Sequence, residues 1–271
     1  MSRVRFVFAL VAGAVASPFV ALQANALPVA VFDDPSIVDT NGSPASESDT
    51  IQASLASLGH TVSTFTGLTG GAFTAGLAGQ SVLVMPEPER GNYSSLSAGA
   101  RSAINAFVAA GGGLITSLSD SDVGGFLNTT FVFSLASAGC ATSSLTGGAG
   151  TAFAGGPATL GCPSETLSFS IASLPTGSTA IYSEGGRAEV ALIPFGAGQI
   201  VTLGWDWFDA PPLGGSSADK NNWVTVLGSA VTQVGSPAQV PEPATLALLG
   251  AGLVGLGWAR RRRREAGRMA A

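Results

Sequence analysis

The chain has 271 residues, 46% of them hydrophobic and only 11% charged, with 37 Gly, 15 Pro, two Cys and one His. This composition excludes an intrinsically disordered chain, which is charge-rich and apolar-poor, and a nucleic-acid binder, which shows a basic face. Zinc and Cys–His chemistry start from three candidate side chains, too few for a four-ligand site unless carboxylates complete it. Charge is distributed unevenly: between Leu27 and Gln239 four basic residues stand against fifteen acidic ones, a formal charge of −11, and the other eight basic residues lie in the first five and last twelve positions.

Arg3 and Arg5 precede an apolar run from Phe6 to Ala16, and Ala24-Asn25-Ala26 puts small residues at the two positions a signal peptidase reads. Residues 1–26 are therefore expected to be a secretory signal peptide. A core helix or membrane anchor fits less well, because the run is short and Pro18 interrupts it.

Pro28 to Phe32 reads as a strand ending in Asp33-Asp34, and Ser48 to Leu58 as a helix with Ile51, Leu55 and Leu58 on one face, stopped by Gly59. Thr61 to Phe65 and Ser81 to Met85 are the next strands, the latter followed by Pro86-Glu87-Pro88-Glu89. The spacing of Ile104, Phe107 and Val108 predicts a helix over Ser97 to Ala110, ended by Gly111 to Gly113, and Leu114 to Leu118 is a fourth strand. Continuous apolar runs alternating with helices predict a parallel sheet covered on both faces. From Thr129 to Gln199 only short β-rich runs are expected, at Phe131 to Leu135, Thr166 to Ile171, Thr179 to Tyr182 and Val190 to Pro194, as an insertion or an extension of the sheet. Gln199 to Gly204 is a further strand leading into Trp205-Asp206-Trp207-Phe208-Asp209, and Asn221 to Val234 a closing helix. The α/β ectodomain is thus expected over 27–234 (β-rich part 129–199), with a linker over 235–240.

Val240-Pro241-Glu242-Pro243 opens the tail, which continues with fifteen uncharged residues, Ala244 to Trp258, and then Arg260, Arg261, Arg262, Arg263 and Arg264. As a helix that apolar stretch spans roughly 22 Å against a hydrocarbon core of ~30 Å, so crossing requires bilayer thinning or snorkelling arginines. The positive-inside rule makes Arg260 to Arg264 a stop-transfer signal, keeps 259–271 as a basic cytoplasmic tail and places Leu27 to Gln239 outside. Ala247, Ala251 and Gly255 recur at four-residue spacing, which suits close approach of another helix. Gly250, Gly252 and Gly255 spell G-x-G-x-x-G, but without the strand–turn–helix context a dinucleotide site needs.

From about Gln239 to Arg264 the chain resembles the PEP-CTERM sorting tail, also catalogued as an ice-binding protein C-terminal domain, with Pro241, Glu242 and Pro243 matching its signature. The resemblance implies cleavage by a membrane exosortase in a Gram-negative, exopolysaccharide-producing bacterium. The chain would pass through an inner-membrane intermediate to the cell surface or matrix.

The ectodomain resembles the flavodoxin-like, class I glutamine amidotransferase-like fold of secreted trehalose-utilisation-like relatives. The residues that carry this are Val29 to Asp34, Leu58 to Val62, Val82 to Glu87, Phe107 to Ile115 and Gly198 to Trp205. That family's nucleophile would follow the fourth strand, where this sequence has Leu118-Ser119-Asp120, with no Cys there and no downstream His for a triad. Ser119 also lacks the glycines of a G-x-S-x-G elbow. His60 opens the second strand, at the sheet's amino end, whereas ligands of open α/β sheets bind beyond the carboxyl ends; it is expected to be structural.

Carboxylates follow several strands: Asp33 and Asp34, Glu87 and Glu89, Asp120 and Asp122, Asp206 and Asp209. On a parallel sheet these share one rim. Asp33, Asp34, Glu87, Asp120, Asp122 and Asp206 form a candidate metal set, with calcium the fitting cation for oxygen ligands without His or Cys. The same groups suit an acid/base pair for glycoside hydrolysis, and equally such residues serve as helix caps and solvated loop positions. Trp205, Trp207 and Phe208 could stack on a sugar ring, although alternating Trp also marks a strand packed on both faces. Cys140 and Cys162, each preceded by Gly, are expected to pair as a disulfide outside the cytoplasm. Together these features predict an exported, exosortase-sorted surface or matrix protein, structural or ligand-binding and associated with polysaccharide or biofilm. Its expected partners are signal peptidase, exosortase and exopolysaccharide. The alternative is a carbohydrate-active hydrolase using the strand-end carboxylates.

Overall fold

The structure is a computed structural model that describes residues 26–42, 46–118, 122–162, 166–208, 210–213 and 218–236. In chain order it has strand β1 (Pro28–Phe32), helix α1 (Glu47–Ser57), β2 (Thr61–Phe65), α2 (Gly70–Gly76), β3 (Val82–Met85), α3 (Ala98–Ala109), β4 (Gly113–Ser117) and α4 (Asp122–Phe131). Then follow β5 (Ser137–Gly139), β6 (Ser143–Leu145), β7 (Thr159–Leu160), β8 (Leu167–Ser170), β9 (Thr179–Glu184), β10 (Arg187–Phe195), β11 (Gly198–Leu203) and α5 (Ala218–Gly235).

Five strands pair in parallel in the order β2-β1-β3-β4-β11. Counted along the chain this is 2-1-3-4-5, the doubly wound order of flavodoxin-like sheets. Strand alternation divides the apolar residues between two cores. Ala30, Phe32, Leu83 and Met85 face Phe73, Ile104, Val108 and Leu127 of α2, α3 and α4, whereas Val29, Val31, Val82 and Val84 face Ile51, Leu55, Trp223 and Leu227 of α1 and α5. Beyond β11 the sheet changes direction: β10 runs antiparallel to β11, β9 to β10 and β6 to β9, while β8 joins β10 and β5. The β-rich part is therefore an extension of the same sheet.

Capping and glycine set the helix ends. Ser46 caps α1 by accepting from Asp49 N, and Gly59 follows it at φ +87°, the left-handed conformation that favours glycine at a helix end. Ser97 caps α3, whose Ala100, Ile104 and Val108 recur every fourth residue on the buried face. Two helices escape the sequence pattern. Helix α2 contains three glycines in seven residues and buries only Phe73; the Cβ missing at Gly70 would lie 2.9 Å from the backbone of Gly99, so the glycine allows α2 and α3 to touch. Helix α4 carries Gly124 and Gly125 and ends in Thr129-Thr130-Phe131, poor helix formers overridden by burial of Val123, Phe126, Leu127 and Phe131. This corrects the strand expected at Phe131 to Leu135: Phe131 closes α4, Val132 turns with φ +60°, and Phe133 returns to stack on Phe131.

Candidate functional site

Because β1, β3, β4 and β11 are parallel, the loops after them open on one rim, together with the N-terminus of α1. The order reverses between β1 and β3, and there ligands of open α/β sheets bind. Loop geometry is fixed from below. The Tyr93 hydroxyl, fully buried, donates to Pro86 O and holds the segment after β3. Thr50 Oγ1 on α1 donates to Trp207 O at 2.6 Å, and Ser54 Oγ donates to Pro211 O, so the loop after β11 is tied to α1.

The strand-end carboxylates divide into separate roles. Asp33 accepts from Ser48 Oγ (2.6 Å) and Gln52 Nε2 (3.2 Å), orienting α1; burial outweighs these bonds and raises its pKa. Burial acts on Asp34 as well, but bonds from the Ser36 hydroxyl, the Ser36 N–H and the Gly67 N–H hold it below the usual aspartate range. Asp122 accepts from Tyr93 N at 2.5 Å and lines a cleft of about 260 Å³ with Ser94, Arg101, Phe126 and Thr129. Asp120, Ser119 and Asp209 lie outside the described residues. Among the described residues no group of three or more His, Cys, Asp or Glu is placed to hold a metal ion.

Of the expected set, Glu87 and Asp206 are brought within electrostatic reach of each other, and Glu89 and Glu47 join them. Glu87 is 5% exposed, and burial, the charges of Asp206 and Glu89, a hydrogen bond to the Glu89 side chain and the charge of Glu47 push its pKa up to about 10. Glu47 is 4% exposed; burial leads again, its own backbone N–H opposes, and Glu89, Asp206 and Asp39 add to the rise, to about 8. At neutral pH both are neutral acids. The Oε2 atoms of both have no hydrogen-bond partner. At the margin Asp39 is paired with Arg90 Nη2 at 3.1 Å. Glu47 reads in sequence as an ordinary first-turn acid; the sign that it belongs to the rim is its position at the N-terminus of the helix after β1, which the parallel topology places beside the strands' carboxyl ends.

The two Trp of the β11 loop are buried and offer no face to a sugar ring. Trp205 and Trp207 meet edge to face at 4.7 Å, Trp205 stacks on Trp223, and all three are buried against α1 and α5, leaving Phe208 as the exposed ring. His60 lies at the opposite end of the sheet, where its Nδ1 accepts from Leu27 N at 3.4 Å and burial lowers its pKa. Cys140 and Cys162 form a disulfide with Cα atoms 5.7 Å apart, so the chain's only two cysteines supply no free thiol. The next residue, Ala141, donates its N–H to Glu189 Oε1 at 2.8 Å, tying the bridged loop to β10.

The fold is that of an α/β protein of the class seen in two solved structures. It is similar to a ThuA-like protein from Bacteroides uniformis, with 13% identity over 81% of this chain and 97% of that one and a TM-score of 0.50. The N-terminal domain of mmIFT52 is similar at 12% identity, over 76% of this chain and 97% of that one, also at 0.50. At such identities the likeness concerns fold alone. A β-galactosidase from Rahnella sp. R3 matches at 18% identity and a TM-score of 0.45, over 76% of this chain and 31% of that one. No curated protein matches the sequence. Particular to this chain is its tail: residues 239–264 match the PEP-CTERM protein-sorting motif, so the protein carries the address of an exosortase-sorted extracellular protein. Residues 1–25 of the expected signal peptide, the sorting tail and the apolar stretch 244–258 lie outside the described residues; among those described, no helix is long and apolar enough to cross a membrane.

Proposed function

We propose that the chain is made with a signal peptide over 1–26, held transiently by an apolar helix over 244–258, processed by an exosortase at Pro241-Glu242-Pro243 and delivered to the cell surface or matrix. There the amidotransferase-like α/β domain over 27–234 acts as a structural or ligand-binding component of an exopolysaccharide-rich envelope, without amidotransferase activity. The tail match at 239–264 carries this reading. The disulfide supports it, because it occupies both thiols and suits an oxidising compartment. In an exosortase-bearing Gram-negative host the wild type should accumulate outside the inner membrane in a form shortened at its C-terminus. The Pro241→Ala/Glu242→Ala/Pro243→Ala variant should remain full length after Ala26 and stay in the membrane. Equal processing of both would remove the proposal.

A second reading, a glycoside hydrolase, is favoured by one observation: Glu87, a neutral buried acid, lies within reach of the carboxylate of Asp206, the pairing that general acid/base hydrolysis uses. Turnover of aryl glycosides that Glu87→Gln and Asp206→Asn each reduce at least 100-fold, with the fold intact, would establish it.

A further inference from the structure

Between the first turns of α3 and α4 and the segment after β3 lies the cleft of about 260 Å³ that Ser94, Arg101, Asp122, Gly125, Phe126 and Thr129 line. A second hollow of about 340 Å³ shares Arg101 and Thr129 with it and adds Ser102 and Asn105. Hydrogen bonds between the elements fix the walls. Tyr93 N donates to Asp122 Oδ2 at 2.5 Å, joining the segment after β3 to α4. Asn105 Nδ2 donates to Thr130 O at 2.9 Å, joining α3 to α4, and Arg101 Nη1 donates to Leu96 O, which holds the guanidinium in place.

Gly125 is the least expected residue of this frame. It sits inside a helix, where glycine is the poorest former after proline. Its neighbour Gly124 has a packing reason, since a Cβ there would press on Phe169 at 3.3 Å and Ser137 Oγ at 3.4 Å. Gly125 has none: a Cβ would meet only Asp122 Oδ1, at 4.0 Å, and otherwise open space. What the missing side chain leaves is room in the cleft.

Charge selects what fits that room. Arg101 and Asp122 line one cleft without forming an ion pair, and among the described residues no carboxylate is paired with Arg101. One of the five N–H donors of its guanidinium goes to Leu96 O, so the cleft has a wall of donors beside a carboxylate that accepts. An anion drawn to Arg101 would lie beside Asp122 in a region of formal charge −11, and a cation drawn to Asp122 would lie beside Arg101. A neutral group carrying several hydroxyls meets neither repulsion, because each hydroxyl accepts from the guanidinium and donates to the carboxylate, with Ser94 and Thr129 able to do either. At ~30 Å³ per water the cleft has the room of roughly nine waters, enough for one pyranose ring, and the adjoining hollow has room for a second.

We propose that the α3–α4 cleft binds a neutral saccharide, with one pyranose between Arg101 and Asp122 and the next unit over Ser102 and Asn105. This rests on the ligand-binding reading above and adds the place and chemical class of the ligand.

Isothermal titration of the full chain in detergent with neutral disaccharides of glucose, galactose and mannose tests it, with glucuronic acid and glucosamine counterparts as parallel arms. At least one neutral disaccharide should bind at least fivefold tighter than both of its charged counterparts. Gly125→Leu, which fills the cleft where nothing opposes a side chain, should weaken that binding at least tenfold while the melting temperature holds or rises. Arg101→Gln should weaken it at least fivefold. Undiminished binding by Gly125→Leu would overturn the cleft assignment and place the sugar elsewhere on the chain. Tighter binding of the uronic acid or of the amino sugar would overturn the neutral assignment in favour of an anion or a cation. Binding of no sugar would overturn the proposal altogether, whereas export and sorting are read separately, from the processing of the Pro241→Ala/Glu242→Ala/Pro243→Ala variant.

Discussion

A buried glutamic acid that stays neutral is an unusual residue, and it makes a distinct prediction. Folding keeps the Glu87 proton on to about pH 10, whereas the unfolded chain releases it near its ordinary 4.5. Above 4.5 the unfolded state therefore gains a charge that the folded state refuses, and unfolding becomes progressively easier. Gln mimics the neutral acid and has no proton to lose. Glu87→Gln should match wild-type stability near pH 4.5 and exceed it by on the order of 4 kcal/mol at pH 8, read from thermal or urea unfolding at both values. A difference that does not change with pH would mean that Glu87 is ionised in the folded protein. Val132 offers a second residue-scale test. It is β-branched, 89% exposed and held at φ +60° immediately after α4, where a left-handed backbone strains any side chain and packing offers nothing in return. Val132→Gly should raise stability by roughly 0.5–1 kcal/mol, the relief of strain exceeding the greater freedom of glycine in the unfolded chain.

Among the elements, β1, β2, β3, β4 and β11 and helices α1, α3 and α5 are legible in the sequence because each couples an apolar run of the right period to a clear stop, as Gly59 ends α1 and Gly111 ends α3. Helices α2 and α4 are not, since their glycines and threonines argue against a helix and only contacts made by the folded chain decide for one. Gly70 shows how this works: adding a Cβ would bring it to 2.9 Å from Gly99 C and 3.0 Å from Gly99 O, with no flexible side chain to move. Gly70→Ala should thus destabilise by about 1–3 kcal/mol although alanine is the better helix former, measured by chemical denaturation. The site divides along the same line. That carboxylates line one rim is written in the sequence, as each follows a parallel strand. Which of them meet is not, because Asp34 is consumed by Ser36 and Gly67, Asp122 is drawn to Tyr93 N, and Glu47 arrives from a helix terminus.

For the molecule as a whole, the buried acids act in one direction. Glu189 on β10 is 1% exposed and is pushed up to about 7 by burial, against the opposing bond from Ala141 N and the charge of Arg187. With Glu47 at about 8 and Glu87 at about 10, three glutamic acids bind their protons more tightly folded than unfolded. Each contributes stability that is fully present below the ordinary value of 4.5 and is lost as pH rises toward its folded value, so the losses overlap between pH 4.5 and 7 and continue to pH 10 for Glu87 alone. Lowered carboxylates act oppositely, but Asp34 does so only in the acid range below 3.8. Stability should therefore fall from pH 5 to pH 8, with a slope on the order of 1–3 kcal/mol per pH unit. The −11 charge of the region from Leu27 to Gln239 adds self-repulsion of the same sign. The Glu47→Gln/Glu87→Gln/Glu189→Gln triple variant separates the two causes, since general repulsion survives in it and the three titrations do not. Its unfolding free energy should be nearly flat over the same range, and a slope as steep as the wild type's would assign the whole effect to repulsion.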